Sequence, residues 1–397
     1  MSDTKPLIGA ILKNERIQSG RSQKDVCYGI CVPSYLSKIE NGTVKPDENI
    51  LAKLYKRLDI EYIGYSELYK NLKKKIKYFY FEMEYNLDSE KLYSELCLYD
   101  KELSASELAI DWLIIKGVCG QDVFDVLSHL KNNMAPVQKA YYQINDLDRY
   151  DDISDKVLAY EEACNVINSS FSFNKLCELY IMTSEYSKIH QLENRIVSLA
   201  LEEGNTKMLA DYYAINGTAY ACVDMEEMML VNYMRAIHLL QNTEWAEMIT
   251  DIYYNIGATY ITLKKYDQAL ENLLKSDKAQ DGTSFLTNHK IAIAYIRNGE
   301  VDKATIFLGR MKKYILNNSG KDTLEYLMYN EAVWECEKDF KLSQDYMILL
   351  EKLIKKIEKD GHFGYLFFYH EVITETYISQ RQYKKAYEFQ HTISTNR

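Results

Sequence analysis

The chain has 397 residues, 47% of them apolar and 27% charged, which is enough apolar material for large cores and too much chain for one compact domain. Residues 1–80 hold 15 Lys or Arg against 9 Asp or Glu, a net of +6, whereas the whole chain carries −10; a basic head on an acidic body fits a nucleic-acid module joined to a domain that avoids nucleic acid. No run of 18 apolar residues occurs, and the opening MSDTKPL lacks the basic flank and apolar stretch of a signal peptide, so no membrane segment and a cytoplasmic location are expected.

Ile8, Ile11 and Leu12 fall at i, i+3 and i+4, with Arg16 on the next turn, and predict a first helix over Leu7–Ser19. Ser22 is a good N-cap, and Asp25 three residues on closes a capping box. The second helix therefore starts at Gln23 and runs to about Tyr28, where Gly29 ends it. A third starts near Val32, with Pro33 in a first turn that has no use for its missing N–H, and runs to Asn41 before Gly42. Leu36 and Ile39 share its inner face. Ser34, Tyr35 and Lys38 point the other way, where short polar groups beside a cation reach base edges and phosphates in a major groove. After Pro46, the capping Asp47 and the stripe Ile50, Leu51, Leu54 and Leu58 predict a helix over 47–58.

These residues carry a resemblance. R-x-x-x-G-x-S-Q at Arg16, Gly20, Ser22 and Gln23, then Y-L-S-K-I-E-N-G at Tyr35–Gly42, resembles the XRE, or lambda-repressor-like, helix-turn-helix family over about residues 7–60. The resemblance implies that Gln23 touches a phosphate, that Ser34, Tyr35 and Lys38 face bases or backbone, and that Arg16 pairs with Glu40 inside the domain. Lys24 and Ser37 complete the candidate DNA-contacting set. Two features depart from the pattern: the turn over Gly29–Val32 is one residue shorter than the commonest form, and Pro33 stands where many relatives carry Ser or Thr.

The stretch Tyr65–Tyr85 reads as one long helix, with Leu68, Leu72, Ile76 and Phe79 on one stripe and Lys73, Lys74, Lys75 and Lys77 around it. The Lys cluster is first a solvated face and second a reach toward flanking phosphates. This divides the chain into a DNA-binding domain over 1–64, a connector over 65–86 and a body over 87–397. The four prolines all lie at or before Pro136, so no helix-breaking proline occurs in the last 261 residues, and nothing there alternates as a half-buried strand does. An all-α body follows.

Internal repeats decide its kind. In Thr250–Asp281, residues Tyr253, Ile256, Gly257, Tyr260, Ala269 and Leu273 stand where a tetratricopeptide repeat places bulky, aliphatic, small, aromatic, Ala and bulky residues. Gly257 and Ala269 let two antiparallel helices approach. Ala292, Tyr295, Ala304 and Leu308 repeat the register 35 residues on, Gly217, Tyr220, Tyr233 and Ala236 give a looser copy 40 residues upstream, and degenerate copies surround Trp334 and then Tyr377 with Ala386. Asp88–Gly204 reads as hairpins whose signature has worn away. The expected body is a tetratricopeptide-repeat right-handed superhelix.

The first helices of such repeats line a groove that holds extended peptides, and Asn is the side chain that satisfies both N–H and C=O of a peptide backbone. Asn216, Asn255, Asn288 and Asn330 fall in successive first helices, and Asn255, one residue before Ile256, is the strongest peptide-binding candidate. An XRE head on an all-repeat body resembles the PlcR/NprR/Rgg/PrgX peptide-responsive (RRNPP) quorum-sensing family of Gram-positive bacteria. That implies a homodimer that binds palindromic double-stranded operator DNA and a short linear signalling peptide. Two other classes stay open: a peptide-independent repressor of a mobile element, and a Rap-like repeat protein that acts by binding a protein partner. No nucleotide-loop, zinc-protease or nucleophile-elbow motif occurs, so no enzyme and no cofactor are expected. The eight cysteines lack metal spacing; reduced, buried thiols are expected, with the Cys27 and Cys31 pair as a minor redox option.

Overall fold

A computed structural model describes residues 5–44, 46–60, 62–64, 66–318, 320, 323–360 and 363–395. Among these there are α-helices, two 3-10 turns and no strand. The helices are α1 (Lys5–Gln18), α2 (Gln23–Cys27), α3 (Pro33–Glu40), α4 (Glu48–Arg57), α5 (Glu67–Glu84), α6 (Glu90–Cys97), α7 (Asp100–Ser104), α8 (Ala109–Val118), α9 (Phe124–Leu130), α10 (Pro136–Ile144), α11 (Ile153–Ile167) and α12 (Ser170–Met182). They continue as α13 (Tyr186–Gln191), α14 (Glu193–Glu203), α15 (Thr206–Cys222), α16 (Glu226–Leu240), α17 (Met248–Thr262), α18 (Tyr266–Ala279), α19 (Phe285–Arg297), α20 (Val301–Asn318), α21 (Leu324–Glu335), α22 (Gln344–Asp360), α23 (Phe363–Ser379) and α24 (Tyr383–Thr395). The chain forms two compact units, residues 1–176 with 196–208 and residues 177–195 with 209–397.

In the head, Ser22 and Asp25 form the expected capping box, and the Asp47 carboxylate accepts from Asn49 N at 2.8 Å. Ile8, Ile11, Leu12, Val26, Leu36, Ile39, Leu51 and Leu54 make the core. Gly9 sets how closely α1 lies on α3, because a Cβ there would sit 1.9 Å from the Ile39 carbonyl oxygen. The Arg57 guanidinium bonds the carbonyls of Asp25 and Tyr28 at 3.2 and 3.1 Å, so α4 satisfies the open end of the short α2.

The predicted connector is α5. Tyr65 lies outside the described residues. Tyr69, Leu72, Ile76 and Phe79 are its buried stripe, with Leu68 only half-buried, and they share a core with Leu96, Leu103, Leu108, Trp112 and Ile115. The helix is thus packed along its length against α6 and α8. Lys73, Lys74 and Lys77 are exposed, while Lys75 pairs with Glu95.

The second unit holds helix pairs α15/α16, α17/α18, α19/α20, α21/α22 and α23/α24 around one core that runs from Ala210 to Ala386. Its packing follows the repeat register. A Cβ on Gly257 would meet Leu273 Cγ at 2.5 Å and the Ala269 carbonyl oxygen at 3.0 Å. The repeat tyrosines also mark a backbone motif that spacing alone does not show. The carbonyls of Tyr180, Tyr220, Tyr260, Tyr295 and Tyr377 accept from the N–H five residues on at 2.9, 3.0, 2.9, 2.8 and 2.8 Å. The residues four after each, Ser184, Asp224, Lys264, Gly299 and Arg381, have φ of 59, 57, 59, 79 and 58°. These are Schellman turns, a common way for a helix to end, and the α12–α13 turn closes in the same way.

No helix of the described residues is long and apolar enough to cross a membrane. Cys97 and Cys119 are exposed, which corrects the expectation that the thiols are buried; Cys27, Cys164 and Cys177 conform to it.

Candidate DNA-reading face and repeat groove

The head presents α3 to solvent on one side only. Leu36, Ile39 and Glu40 are buried, Ser34 and Lys38 are exposed, and Tyr35 and Ser37 are half-buried, with Ser37 Oγ accepting from Asn41 Nδ2 at 3.5 Å. Beneath this face Glu40 is held by Arg16 through two bonds, Nε to Oε1 at 2.6 Å and the terminal nitrogen to Oε2 at 3.0 Å. The ion pair proposed from the motif is therefore present. Gln23 Nε2 joins it, donating to Glu40 Oε2 at 2.7 Å. One amide hydrogen of Gln23 is thereby spent inside the domain. Lys24 is exposed on α2. Tyr28 and Val32, in the turn between α2 and α3, are 75% and 62% exposed. They escaped the sequence argument because an apolar residue next to a Gly-containing turn gives no sign of which way it faces.

A groove of about 680 Å³ opens within the second unit. Its walls are Tyr186, Thr218, Ala221 and Cys222, then Tyr254, Asn255, Ala258, Thr259 and Thr262 of α17, and Tyr365, Phe368, His370 and Glu371 of α23, with Lys290 of α19 also lining it. At the rim Lys264 in the α17–α18 turn pairs with Glu371 of α23 at 2.5 Å.

The four candidate asparagines part company here. Asn255 lines the groove half-buried, and its side-chain amide has no hydrogen-bond partner among the described residues. Asn216 is fully buried, with Oδ1 2.7 Å from His190 Nδ1 and Nδ2 donating to Asn232 Oδ1 at 3.2 Å. Asn288 is buried too, its Nδ2 donating to the carbonyls of Gly282 and Ser284 at 2.9 and 2.7 Å. Asn330 donates to the Tyr326 carbonyl one turn back at 2.7 Å. The expectation that all four line one groove is corrected to Asn255 alone. The other three amides are used by helix-to-helix bridging, loop pinning and the helix's own backbone.

A charged network missed at the sequence level lies behind the groove. Arg297 holds Glu335 through two bonds at 3.0 and 2.6 Å, and Tyr346 donates to Glu331 at 3.1 Å. Burial, with Glu335 as a neighbour, pushes the Glu331 carboxyl well up, whereas Arg297 holds Glu335 low against its own burial. His289 Nε2 is 2.9 Å from Tyr369 Oη, and burial pushes this imidazole well down toward its neutral form. One sign was available: His289 and Lys290 interrupt the apolar run of α19, a helix buried on nearly all sides.

Residues 12–63 match the model of the helix-turn-helix family. The N-terminal part is a DNA-binding helix-turn-helix domain of the XRE type. No curated protein is similar to the chain by sequence. Among solved structures, a Rap protein complexed with competence and sporulation factor aligns with TM-score 0.60 at 14% identity, over 82% of this chain and 97% of its own. The apo form of RapI aligns with TM-score 0.57 at 13% identity, over 82% and 98%. These likenesses show a shared helical-repeat fold. PlcR of Bacillus thuringiensis, solved with the peptide PapR7 and DNA, aligns over 79% of this chain and 98% of its own at 13% identity, with TM-score 0.26.

Proposed function

We propose that the protein is a cytoplasmic transcriptional regulator that binds operator DNA as a homodimer and is controlled by a short linear peptide in the repeat groove. The observation that carries this reading is the Asn255 amide, a paired donor and acceptor left without a partner inside a groove of peptide-binding size, in a chain that also carries a DNA-reading domain. Support for a ligand in this fold comes from the Rap protein of the same architecture, solved with competence and sporulation factor. Support for pairing comes from size: one such head offers about 600–1,000 Å² of DNA interface, and two half-sites are the usual route to affinity and specificity.

On DNA, Ser34, Tyr35, Ser37 and Lys38 face bases or backbone, with Gln23 and Lys24 on phosphates. In the groove, Asn255 holds the peptide backbone. Coupling is reciprocal, so peptide and operator change each other's affinity by the same factor, on the order of 1–3 kcal/mol. The test is a binding titration of upstream DNA from the protein's own gene, with and without synthetic peptides encoded nearby, alongside sedimentation. The expected result is a dimer whose DNA affinity shifts with peptide and loses that shift in Asn255→Ala. DNA binding indifferent to every such peptide favours the mobile-element repressor. The shared fold with two Rap proteins favours a second reading, in which the repeats act on a protein partner; loss of all DNA binding with retention of such a partner decides for it.

A further inference from the structure

Among the described residues, Lys290 is a charged residue of the groove lining that forms no ion pair. Its side chain is only 2% exposed, yet it lines the groove. The ammonium lies 2.8 Å from the centroid of the Phe368 ring and 5.7 Å from that of Tyr365, and it makes no ion pair among the described residues. Neighbouring cations of the same unit are answered: Arg297 by Glu335, Arg310 by Asp277 and Lys265 by Glu226. The acid that acts on Lys290 electrostatically is Glu331, but Glu331 accepts from Tyr346 and is pushed toward its protonated form, so it is a poor counter-ion. Burial and Arg297 press the Lys290 ammonium down toward neutrality, and His289 beside it is also held neutral. A buried ammonium that packs on ring faces, beside a carboxyl already engaged by Tyr346, is costly until an anion arrives, and an anion that enters this largely apolar cleft meets a strong, charge-assisted donor.

We propose that the groove contains a carboxylate-binding subsite centred on Lys290, walled by Phe368 and Tyr365, which takes either the C-terminal carboxylate of a bound peptide or an Asp or Glu side chain of that peptide. The proposal rests on the peptide-groove reading above and adds a chemical requirement to the ligand. Asn255 on α17 serves the amide backbone; Lys290 on α19 serves a negative end. With the carboxylate in place the ammonium regains its full charge.

The experiment uses the full-length protein and random hexapeptide libraries of three kinds: free C-terminus without Asp or Glu, amidated C-terminus with Asp and Glu, and amidated C-terminus without them. Retained peptides are counted by mass spectrometry for wild type, Lys290→Met and Lys290→Arg. The expected result is retention of one or both carboxylate-bearing libraries roughly tenfold above the carboxylate-free one. The first library identifies a terminal carboxylate and the second a side chain. Lys290→Met should lose the preference, and Lys290→Arg should keep it. Equal retention of all three libraries by wild type overturns the subsite while the peptide groove stands, and this comparison needs no variant to fold. If wild type retains no peptide at all, the peptide reading fails. Thermal shifts with N-acetylated dipeptide acids against their amides then judge Lys290 alone: stabilisation by the acids in wild type and not in Lys290→Met keeps the subsite, and no difference removes it.

Discussion

The helix-turn-helix head and the repeat groove handle polar side chains in opposite ways. In the head, buried polar groups answer one another, with Arg16 and Gln23 both on Glu40, and the groups left over, Ser34 and Lys38, stand in open solvent. In the groove the exposed surface is largely apolar and aromatic, and the groups left over, the Asn255 amide and the Lys290 ammonium, are half-buried and buried. Charge that stays wet suits a polyanion approached through water. Polarity set among largely apolar walls suits a ligand that gives up part of its own hydration, where each unmet donor becomes a strong discriminator.

The sharpest way to break this contrast is to unseal the head. Arg16→Ala leaves Glu40, whose side chain is 1% exposed, without its cation, and removing one partner of such a buried pair costs about 3–5 kcal/mol. Amide hydrogen exchange followed by mass spectrometry should show residues 5–58 losing protection while α15–α24 keep theirs. Lys38→Ala is the counterpart on the wet face. It should leave exchange unchanged and weaken operator binding by roughly 1–3 kcal/mol if Lys38 reads a base, and less if it meets only phosphate. An Arg16→Ala head as protected as wild type would mean that the ion pair does not hold the domain.

Within the groove region the asparagines supply a matched pair. Asn288→Ala leaves the Gly282 carbonyl without the amide that now serves it, while the Ser284 carbonyl keeps the backbone N–H of residue 288, so a loss of about 1–3 kcal/mol in urea unfolding is expected. Asn255→Ala removes an amide with no hydrogen-bond partner among the described residues and should stay within about 0.5 kcal/mol of wild type. Similar losses at both positions would show that Asn255 also has a structural task. Gly257→Ala measures the packing between the helices of one pair: its Cβ would drive into Leu273, and overpacking of this kind costs about 1–3 kcal/mol.

How far the sequence revealed these differences follows from where each residue's partners lie. The head's capping box, its four helices and the Arg16–Glu40 pair were legible because one short motif specifies nearly all of a small domain. The repeat register was legible at Gly257, Tyr260 and Ala269 because two helices joined by a short turn must meet at fixed offsets. The fate of the asparagines was not. Asn216 is spent on His190 and Asn232, and Asn288 on a loop and Arg310, and no local pattern says which neighbouring helix will present a partner. Lys290 was passed over for the same reason, since its isolation appears only when α23 places Phe368 and Tyr365 beside it and no carboxylate among the described residues pairs with it.

That backbone motif gives the smallest expected effect. Each Schellman turn needs one residue in the left-handed region, where an L-residue pays about 1–2 kcal/mol and glycine pays nothing in sterics. Of the five tyrosine-marked turns, the α19–α20 turn uses glycine, at Gly299; the α23–α24 turn uses Arg381 at φ 58°. The Arg381 side chain is exposed and takes part in no hydrogen bond or ion pair among the described residues, so its removal deletes no contact. Glycine adds unfolded-state entropy worth about 0.5–1 kcal/mol against folding, which offsets part of the relief. Arg381→Gly should therefore stabilise the second unit by about 0.5–1 kcal/mol, read as a higher urea midpoint with an unchanged slope. Lys264 is the instructive control: it occupies the same conformation but pairs with Glu371 at the groove rim, so Lys264→Gly exchanges relief of strain for loss of that contact and should gain less. Destabilisation by Arg381→Gly would mean that this last turn does not hold the left-handed geometry its tyrosine register shares with the other four.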